Sequence, residues 1–192
     1  RYLPKDERKR LGEFYTPDEV ITYILDAVGY KPGADIENDY LLDPACGSGS
    51  FLVEATRRLI RRYETKGFNL KDPDMALQTL EGIINHVYGL DINPFACFIA
   101  EMNMLFHVVE LYGAVRKKYR DFKLSRFNIY STDSLMPPLT EEQKQRMQLE
   151  IIKTTNSRAK YFIEETIKAE GVKGKKFDFV VGNPPYIRTL RW

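Results

Sequence analysis

The sequence predicts an α/β fold with a mostly parallel sheet and helices on both of its faces. Short apolar runs alternate along the chain with longer amphipathic stretches, a pattern typical of strands joined by helices. The first run, residues 40–43, is apolar up to its closing acid, as expected for a strand buried on both faces. A polar residue, glycine or proline closes each run, so every strand has a defined end. The predicted strands are residues 40–43, 86–91, 127–130 and 177–182.

Helical periodicity and capping signals predict the elements between these strands. Thr16 is the expected N-cap of the first helix, with Pro17 at its first helical position. Helices are predicted over residues 17–28, 51–66, 72–85, 94–113 and, as one charged amphipathic stretch, 140–168. In the first helix one face carries Val20, Ile21, Ile24, Leu25 and Val28. The inner face of the helix from 94 is predicted to carry Phe95, Phe98, Ile99, Met102, Leu105 and Val109.

Composition indicates one globular domain in a reducing compartment. The chain has 192 residues, of which 43% are hydrophobic and 29% charged, and its net charge of +2 does not argue for nucleic acid. Cys46 and Cys97 form neither a disulfide framework nor a metal spacing. The charged N-terminus is not a signal peptide, no membrane span is expected, and the missing initiator Met indicates a longer parent protein. We therefore predict a cytoplasmic protein without a metal site.

A glycine-containing loop follows the first predicted strand and opens the next helix. Backbone N–H groups at a helix start can bind a carboxylate or phosphate, and small residues let a ligand approach closely. Leu52 stands where a dinucleotide fingerprint needs its third glycine, and the Lys of a phosphate-binding loop is absent. The alternative is a plain strand-to-helix turn. The loop and the acid before it comprise Asp43, Ala45, Cys46, Gly47, Ser48 and Gly49.

Acidic residues also follow the next two predicted strands. Asp91 ends the second strand, where a carboxylate can accept both hydroxyls of a ribose, or can simply cap the following helix. Asp133 follows the third strand and could accept from the exocyclic amino group of an adenine, or cap a turn. Since the carboxyl ends of parallel strands meet at one edge, both lie at the expected ligand edge.

The strongest chemical signal is Asn183, Pro184, Pro185 and Tyr186, directly after the fourth strand. Two prolines cannot continue a central strand, so the backbone turns out at the sheet edge. The Asn183 side-chain oxygen and the Pro184 carbonyl supply two acceptors, which is what an exocyclic NH₂ group requires. Tyr186 offers a flat face for stacking the same planar group, worth on the order of 1–3 kcal/mol. The alternative is a proline-rich turn without function.

Basic clusters give a weaker signal. Those at residues 57–62, 116–118 and 173–176 could contact phosphates, but such runs are more often solvated faces. His86 and His107 have no ligand-like spacing, and we assign them no role.

Five segments, in order, resemble the amino-methylating DNA methyltransferases with the gamma arrangement of motifs. The adenine-specific members of type I and type IIG restriction–modification systems are the most similar. This family has a Rossmann-like methyltransferase fold, and the chain would stop after its fourth motif-bearing strand. The matching segments are residues 12–17, 43–51, 89–94, 133–135 and 183–186.

The resemblance implies a site for S-adenosyl-L-methionine. The first segment would close over the methionine end of the cofactor, and the glycine loop would hold its amino and carboxylate groups. Asp91 would bind the ribose beside Ile92, and the 133–135 segment would meet the adenine ring. The implied cofactor residues are Phe14, Tyr15, Thr16, Pro17, Asp43, Ala45, Cys46, Gly47, Ser48, Gly49, Asp91, Ile92, Asp133, Ser134 and Leu135.

The resemblance also implies a catalytic role for the segment Asn183, Pro184, Pro185 and Tyr186. It would grip an adenine flipped out of double-stranded DNA, for N6 methylation in a restriction–modification system. We expect residues 1–192 to form one partial methyltransferase domain with helical insertions near 67–85 and 137–172. The target recognition domain, or a specificity subunit, would lie elsewhere. We expect the 192-residue chain alone to bind cofactor weakly and not to methylate DNA.

Other functions remain open at this point. Protein glutamine-N5 and RNA guanine-N2 methyltransferases carry the same or a similar Asn-Pro-Pro-Tyr segment, whereas cytosine-N4 enzymes more often have Ser where Asn183 stands. A non-catalytic DNA-binding or assembly subunit with a vestigial cofactor pocket is a further alternative. The segment at 14–17 favours adenine in DNA, and intact Asp43, Asp91 and Asn183 argue against a vestigial pocket.

Overall fold

A computed structural model describes residues 16–184. Its four strands form one sheet, all parallel, in the order β3-β2-β1-β4, and six α-helices accompany them in this part of the chain. The predicted fold class is confirmed. The predicted site residues Phe14, Tyr15, Pro185 and Tyr186 lie outside the described residues. The strands are β1 (Leu41–Asp43), β2 (Val87–Asp91), β3 (Asn128–Ser131) and β4 (Phe179–Val180).

The helices follow the predicted order, with two differences in extent. The stretch predicted as one helix over 140–168 is two helices, because the chain becomes extended at Thr154 and restarts at Ser157. The predicted helix from residue 94 continues to Lys118. The helices are α1 (Asp18–Ala27), α2 (Ser50–Thr65), α3 (Pro73–His86), α4 (Pro94–Lys118), α5 (Glu141–Lys153) and α6 (Ser157–Lys173), and Ile36–Asn38 forms a short 3₁₀ turn.

Both faces of the sheet are covered by helices. At Gly89 in β2, an added Cβ would lie 2.6 Å from Leu52 Cδ1 of α2, so this face admits no side chain there. The next residue, Leu90, packs on the opposite face against Ala169 and Val172 of α6. Alternate residues of a strand point to opposite faces, so α2 and α6 lie on opposite sides of β2. The larger core lies on the α2 side.

The predicted inner face of α4 is wrong for three of its six residues, although Leu105 does pack against the core. Phe95, Phe98 and Val109 are more than half exposed. Apolar residues occupy both sides of α4, so periodicity alone does not determine which side is buried. The buried side carries the smaller residues that allow close packing, namely Cys97, Ala100, Met104, Val108, Leu111, Ala114 and Val115.

The length and composition of α4 would also suffice to cross a membrane, contrary to the sequence expectation. It is the only such helix among residues 16–184, and the core helices of folded domains pass the same test. Here α4 packs against α2, α3 and the strands β2 and β3. The observation is therefore weak support for a membrane segment.

The Arg-rich cluster of α2 is partly structural. Arg58 is buried, and its guanidinium donates to Asp26 Oδ1 and the Tyr30 carbonyl, both at 2.7 Å. Arg62 donates to Glu37 Oε2 at 2.8 Å. These contacts tie α2 to α1 and to the loop before β1, so neither arginine projects as a free phosphate-binding side chain.

In α1, the predicted apolar face is only partly buried. Ile21 and Leu25 lie in the core, whereas Val20 and Val28 are exposed.

Candidate active site

Asp43, the last residue of β1, is a buried carboxylate. Its Oδ1 accepts the Ala45 N–H at 3.0 Å, and no basic side chain among residues 16–184 forms a salt bridge with it. The pKa of Asp43 is raised to about 7, mainly by burial, while the Ala45 N–H lowers it and the nearby Asp91 carboxylate raises it. An acid in this setting is suited to a cationic ligand group, which would supply the missing positive charge.

The glycine loop after Asp43 is held against α4. Gly49 has φ +86°, a left-handed conformation that favours glycine, and an added Cβ would lie 2.8 Å from Ala100 Cβ. The side-chain amide of Asn103 donates to the Ser48 carbonyl at 2.9 Å. The loop therefore depends on Ala100 and Asn103, two mid-helix residues that the sequence analysis missed. An Ala and an Asn within a long helix carry no signal that would have revealed these contacts.

Asp91, at the end of β2, bonds to the glycine loop. Its Oδ2 accepts the Gly47 N–H and its Oδ1 accepts the Asn93 N–H, both at 2.8 Å. The helix cap of α4 is Asn93, whose side chain accepts from Phe95, so the capping interpretation of Asp91 is wrong. An ionised carboxylate has about four acceptor positions, which leaves Asp91 with capacity for a ligand hydroxyl.

The turns after β2 and β3 lie side by side. The Thr132 N–H donates to the Asp91 carbonyl at 2.9 Å. Asp133 caps its own turn, because its Oδ1 accepts the Leu135 N–H at 2.9 Å. Leu135 and Ile92 are 92% and 72% exposed, which is unusual for large apolar side chains near a sheet edge. A flat apolar ring placed between these turns would cover surface that is otherwise in water.

Asn183 follows β4 at the same edge and next to β1. The residue before it, Gly182, packs so closely on β1 that an added Cβ would lie 2.5 Å from Asp43 Oδ1. The Asn183 side-chain amide donates to Thr16 Oγ1 at 3.2 Å. Thr16 is thus not the N-cap predicted for α1; Pro17 occupies that position, without a side-chain cap. The hydroxyl is used by Asn183 instead.

The described residues bring most of the predicted site to one edge. The strand register aligns Asp91 with Ser131, so β2 and β3 end at the same level, whereas Asp43 aligns with Gly89, two residues before the end of β2. Ser134 and Leu135 follow at the β3 side, and Asn183 and Pro184 at the β4 side. No group of three or more His, Cys, Asp or Glu side chains suited to a metal occurs within residues 16–184.

The family model for N-6 DNA Methylase matches residues 1–192, the whole chain. The chain belongs to this family. The resemblance read from the five motifs is thereby confirmed, and membership in a methyltransferase family implies a methyl donor.

Several curated relatives of this N-6 DNA methylase family chain share less than a third of its residues. The type II methyltransferase M.XhoI of Xanthomonas vasicola is 29% identical over 183 residues, which cover 95% of this chain and 25% of that protein. The adenine-specific methyltransferase PglX of Streptomyces coelicolor is 28% identical over 194 residues, covering 96% of this chain and 15% of that protein. The chain thus spans a quarter or less of the length of these two relatives.

A solved structure has the same fold. It is a nuclease-deletion mutant of the Type ISP restriction–modification enzyme LlaGI in complex with a DNA substrate mimic. It matches with a TM-score of 0.60 and 19% identity, over 91% of this chain and 13% of that one. The match supports the fold of this N-6 DNA methylase family chain.

Proposed function

We propose that the full-length protein transfers a methyl group from S-adenosyl-L-methionine to the N6 amino group of adenine in double-stranded DNA. It would do so in the cytoplasm of a prokaryote, within a restriction–modification system, with a specificity domain or subunit choosing the sequence. The observation that carries the proposal is the packing of Gly182 on Asp43. Asn183, the proposed acceptor of the target amine, directly follows Gly182, and Asp43 directly precedes the loop proposed to hold the methyl donor.

The carboxylates and apolar side chains at the sheet edge suit this cofactor. Asp43 is a buried acid without a cationic partner among residues 16–184, which suits the positively charged methionine end. Asp91 has acceptor capacity for the ribose. The exposed Ile92 and Leu135 would cover the adenine ring. When bound, the cofactor supplies a methyl group already activated on a sulfonium. The remaining proposed contacts come from Phe14, Tyr15, Thr16, Pro17, Ala45, Cys46, Gly47, Ser48, Gly49, Asp133 and Ser134.

The chain's own residues would then bind and orient the target amine. Asn183 Oδ1 and the Pro184 carbonyl each accept one hydrogen of the amino group, which turns the nitrogen lone pair toward the methyl. Tyr186 would stack on the flipped base, and Pro185 belongs to the same proposed catalytic segment. Positioning of this kind supplies much of the rate, so no nucleophile is needed. Cys46 and Cys97 are both buried, which suits packing rather than attack on a base.

The domain organisation is part of the same proposal. Residues 1–192 would form one partial methyltransferase domain, and the helical segments near 67–85 and 137–172 would be insertions into it. In support, α5 and α6 come between β3 and β4 along the chain, and β4 is the strand that pairs with β1. The helix α6 covers the face of the sheet opposite to α2. The target recognition part would belong to the remaining length of the protein.

Replacing Asn183 by Ala in the full-length protein tests the function. We expect methylation to fall by roughly 10²–10³-fold, because one of the two acceptors of the target amine is removed. Mass spectrometry of digested DNA measures the product, which should be N6-methyladenine. Asp91→Ala should instead weaken S-adenosyl-L-methionine binding, measured by calorimetric titration.

Gln145→Ala on the exposed α5 serves as a control and should retain activity. Methylglutamine or N2-methylguanine as the product would contradict adenine as the substrate. If wild type does not bind the cofactor, or if binding does not respond to Asp91→Ala, the cofactor assignment is wrong.

A further inference from the structure

We propose that Thr16 is a positioning residue that sets the orientation of the Asn183 side-chain amide. This inference rests on the proposed function and gives it a new component. Thr16 would act through Asn183 by taking up its NH₂ group, so that the Asn183 oxygen is the atom left to face the target amine. Thr16 would thereby have a role in gripping the base, in addition to belonging to the segment proposed to close over the cofactor.

The contact joins two parts of the chain that are far apart in sequence. Asn183 Nδ2 lies 3.2 Å from Thr16 Oγ1, across 167 residues. Thr16 is only 9% exposed. A buried hydroxyl with an amide as its partner is a defined contact, since an unpaired polar group in such a place is costly.

Both partners sit on firmly held backbone. Thr16 directly precedes Pro17, whose carbonyl accepts the first helical N–H groups of α1, from Val20 and Ile21. Arg58 fixes α1 in turn, through the Thr22 carbonyl at 3.2 Å and Asp26 at 2.7 Å. On the other side, the packing of Gly182 against Asp43 limits movement of the residue before Asn183. The start of α1 and the end of β4 are thus both held in place, which fixes the positions from which Thr16 and Asn183 contact each other.

The orientation matters because an amide has one acceptor atom and one donor group. A target NH₂ group donates hydrogen bonds, so only the side-chain oxygen of Asn183 can bind it. If the Asn183 amide were rotated by 180°, its own NH₂ group would face the target NH₂ group and no hydrogen bond could form. A threonine hydroxyl can either donate or accept. When the Thr16 hydroxyl donates its proton to a third group, the Thr16 oxygen can only accept a hydrogen bond. The Asn183 amide must then turn its NH₂ group toward Thr16, which is the orientation in this structure. The carboxylate of the proposed cofactor is an acceptor of the required kind.

The test is a double comparison on the full-length protein, with Thr16→Val as the isosteric variant and Thr16→Ser as the rescue. The DNA carries the protein's own methylation sequence, with either adenine or purine, which lacks the amino group, at the target position. Dissociation constants are measured at saturating S-adenosylhomocysteine. The ratio of the two constants is then compared between proteins. The difference in base pairing between the two DNAs is the same for every protein, and a change in cofactor contacts affects both DNAs equally, so neither alters the comparison.

The dissociation constant for purine DNA is divided by that for adenine DNA. We expect this ratio to be about tenfold lower in Thr16→Val than in wild type, and to stay within about threefold of wild type in Thr16→Ser. Single-turnover methylation of adenine should fall in Thr16→Val and recover in Thr16→Ser. Thermal unfolding reports whether each variant is folded, and Thr16→Ala carries the same comparison if Thr16→Val is not.

A wild-type ratio in a folded Thr16→Val or Thr16→Ala would overturn the inference while leaving the proposed function intact. Equal losses in Thr16→Ser and Thr16→Val would also overturn it, because Thr16→Ser retains the hydroxyl and the loss would then not follow the hydroxyl. A wild-type protein that forms no N6-methyladenine in DNA would overturn the proposed function, and this inference with it.

Discussion

Replacing Asp43 by Asn is expected to stabilise the cofactor-free protein at pH 8 by a few kcal/mol. Burial raises the pKa of Asp43 to about 7, whereas in the unfolded chain it is near 3.8. Between these values the native state holds a proton that the unfolded chain has released, so wild-type stability falls as pH rises from about 4 to 7. Asn is neutral throughout, so the variant should lack this fall. Equilibrium unfolding between pH 4 and pH 8 measures the difference.

The two proteins should differ least at pH 4, where native Asp43 is protonated and the unfolded chain, with a pKa near 3.8, still holds part of this proton. Asp121→Asn, at an exposed position, is the matched control and should retain the wild-type pH dependence. A stability difference between Asp43→Asn and wild type that does not grow between pH 4 and pH 7 would contradict the prediction. The same Asp43→Asn variant should bind S-adenosyl-L-methionine more weakly, because the site loses the charge that the proposed cofactor needs. Stability and binding should therefore move in opposite directions.

The strand ends of this fold were predictable because the sequence marks them locally. Apolar runs stop at Asp43 and Asp91, and the residues that follow either permit a tight turn or begin a helix. Parallel strands then bring these ends to one edge without further information. The positions of Asp43, Asp91 and Asn183 at a common edge follow from this pattern.

The contacts between distant segments were not predictable, since each depends on a partner that the local sequence does not identify. Arg58 looks like part of a solvated basic face until Tyr30 and Asp26 are seen to surround its guanidinium. Thr16 has the sequence context of a helix cap, yet it pairs with Asn183. Which of the two apolar faces of α4 is buried likewise depends on packing. The face that carries Ala100 is buried, and its small side chain allows Gly49 to approach closely.

Removing the Arg126 charge is expected to destabilise the protein by about 2–3 kcal/mol, less than for a fully buried pair, because the Arg126 side chain is 34% exposed. Arg126 precedes β3, and its guanidinium donates to both carboxylate oxygens of Glu165 in α6, to Glu101 in α4 at 2.6 Å and to the Ile129 carbonyl at 2.9 Å. Glu165 is 1% exposed. In Arg126→Met this carboxylate would be buried with Lys168, 3.6 Å away, as its remaining cationic neighbour. Urea unfolding gives the change in free energy.

The combined variant Arg126→Met/Glu165→Met separates the cost of an unpaired charge from the value of the pair. It should regain most of the stability lost in Arg126→Met, because the buried carboxylate of Glu165 is then removed together with its partner. Arg146→Met, which breaks an exposed pair with Glu142 on α5, should change little. Equal losses in the single and combined variants would contradict this account. Because Arg126 joins α6 to β3 and α4, Arg126→Met should also increase amide hydrogen exchange in α6 before the rest of the core.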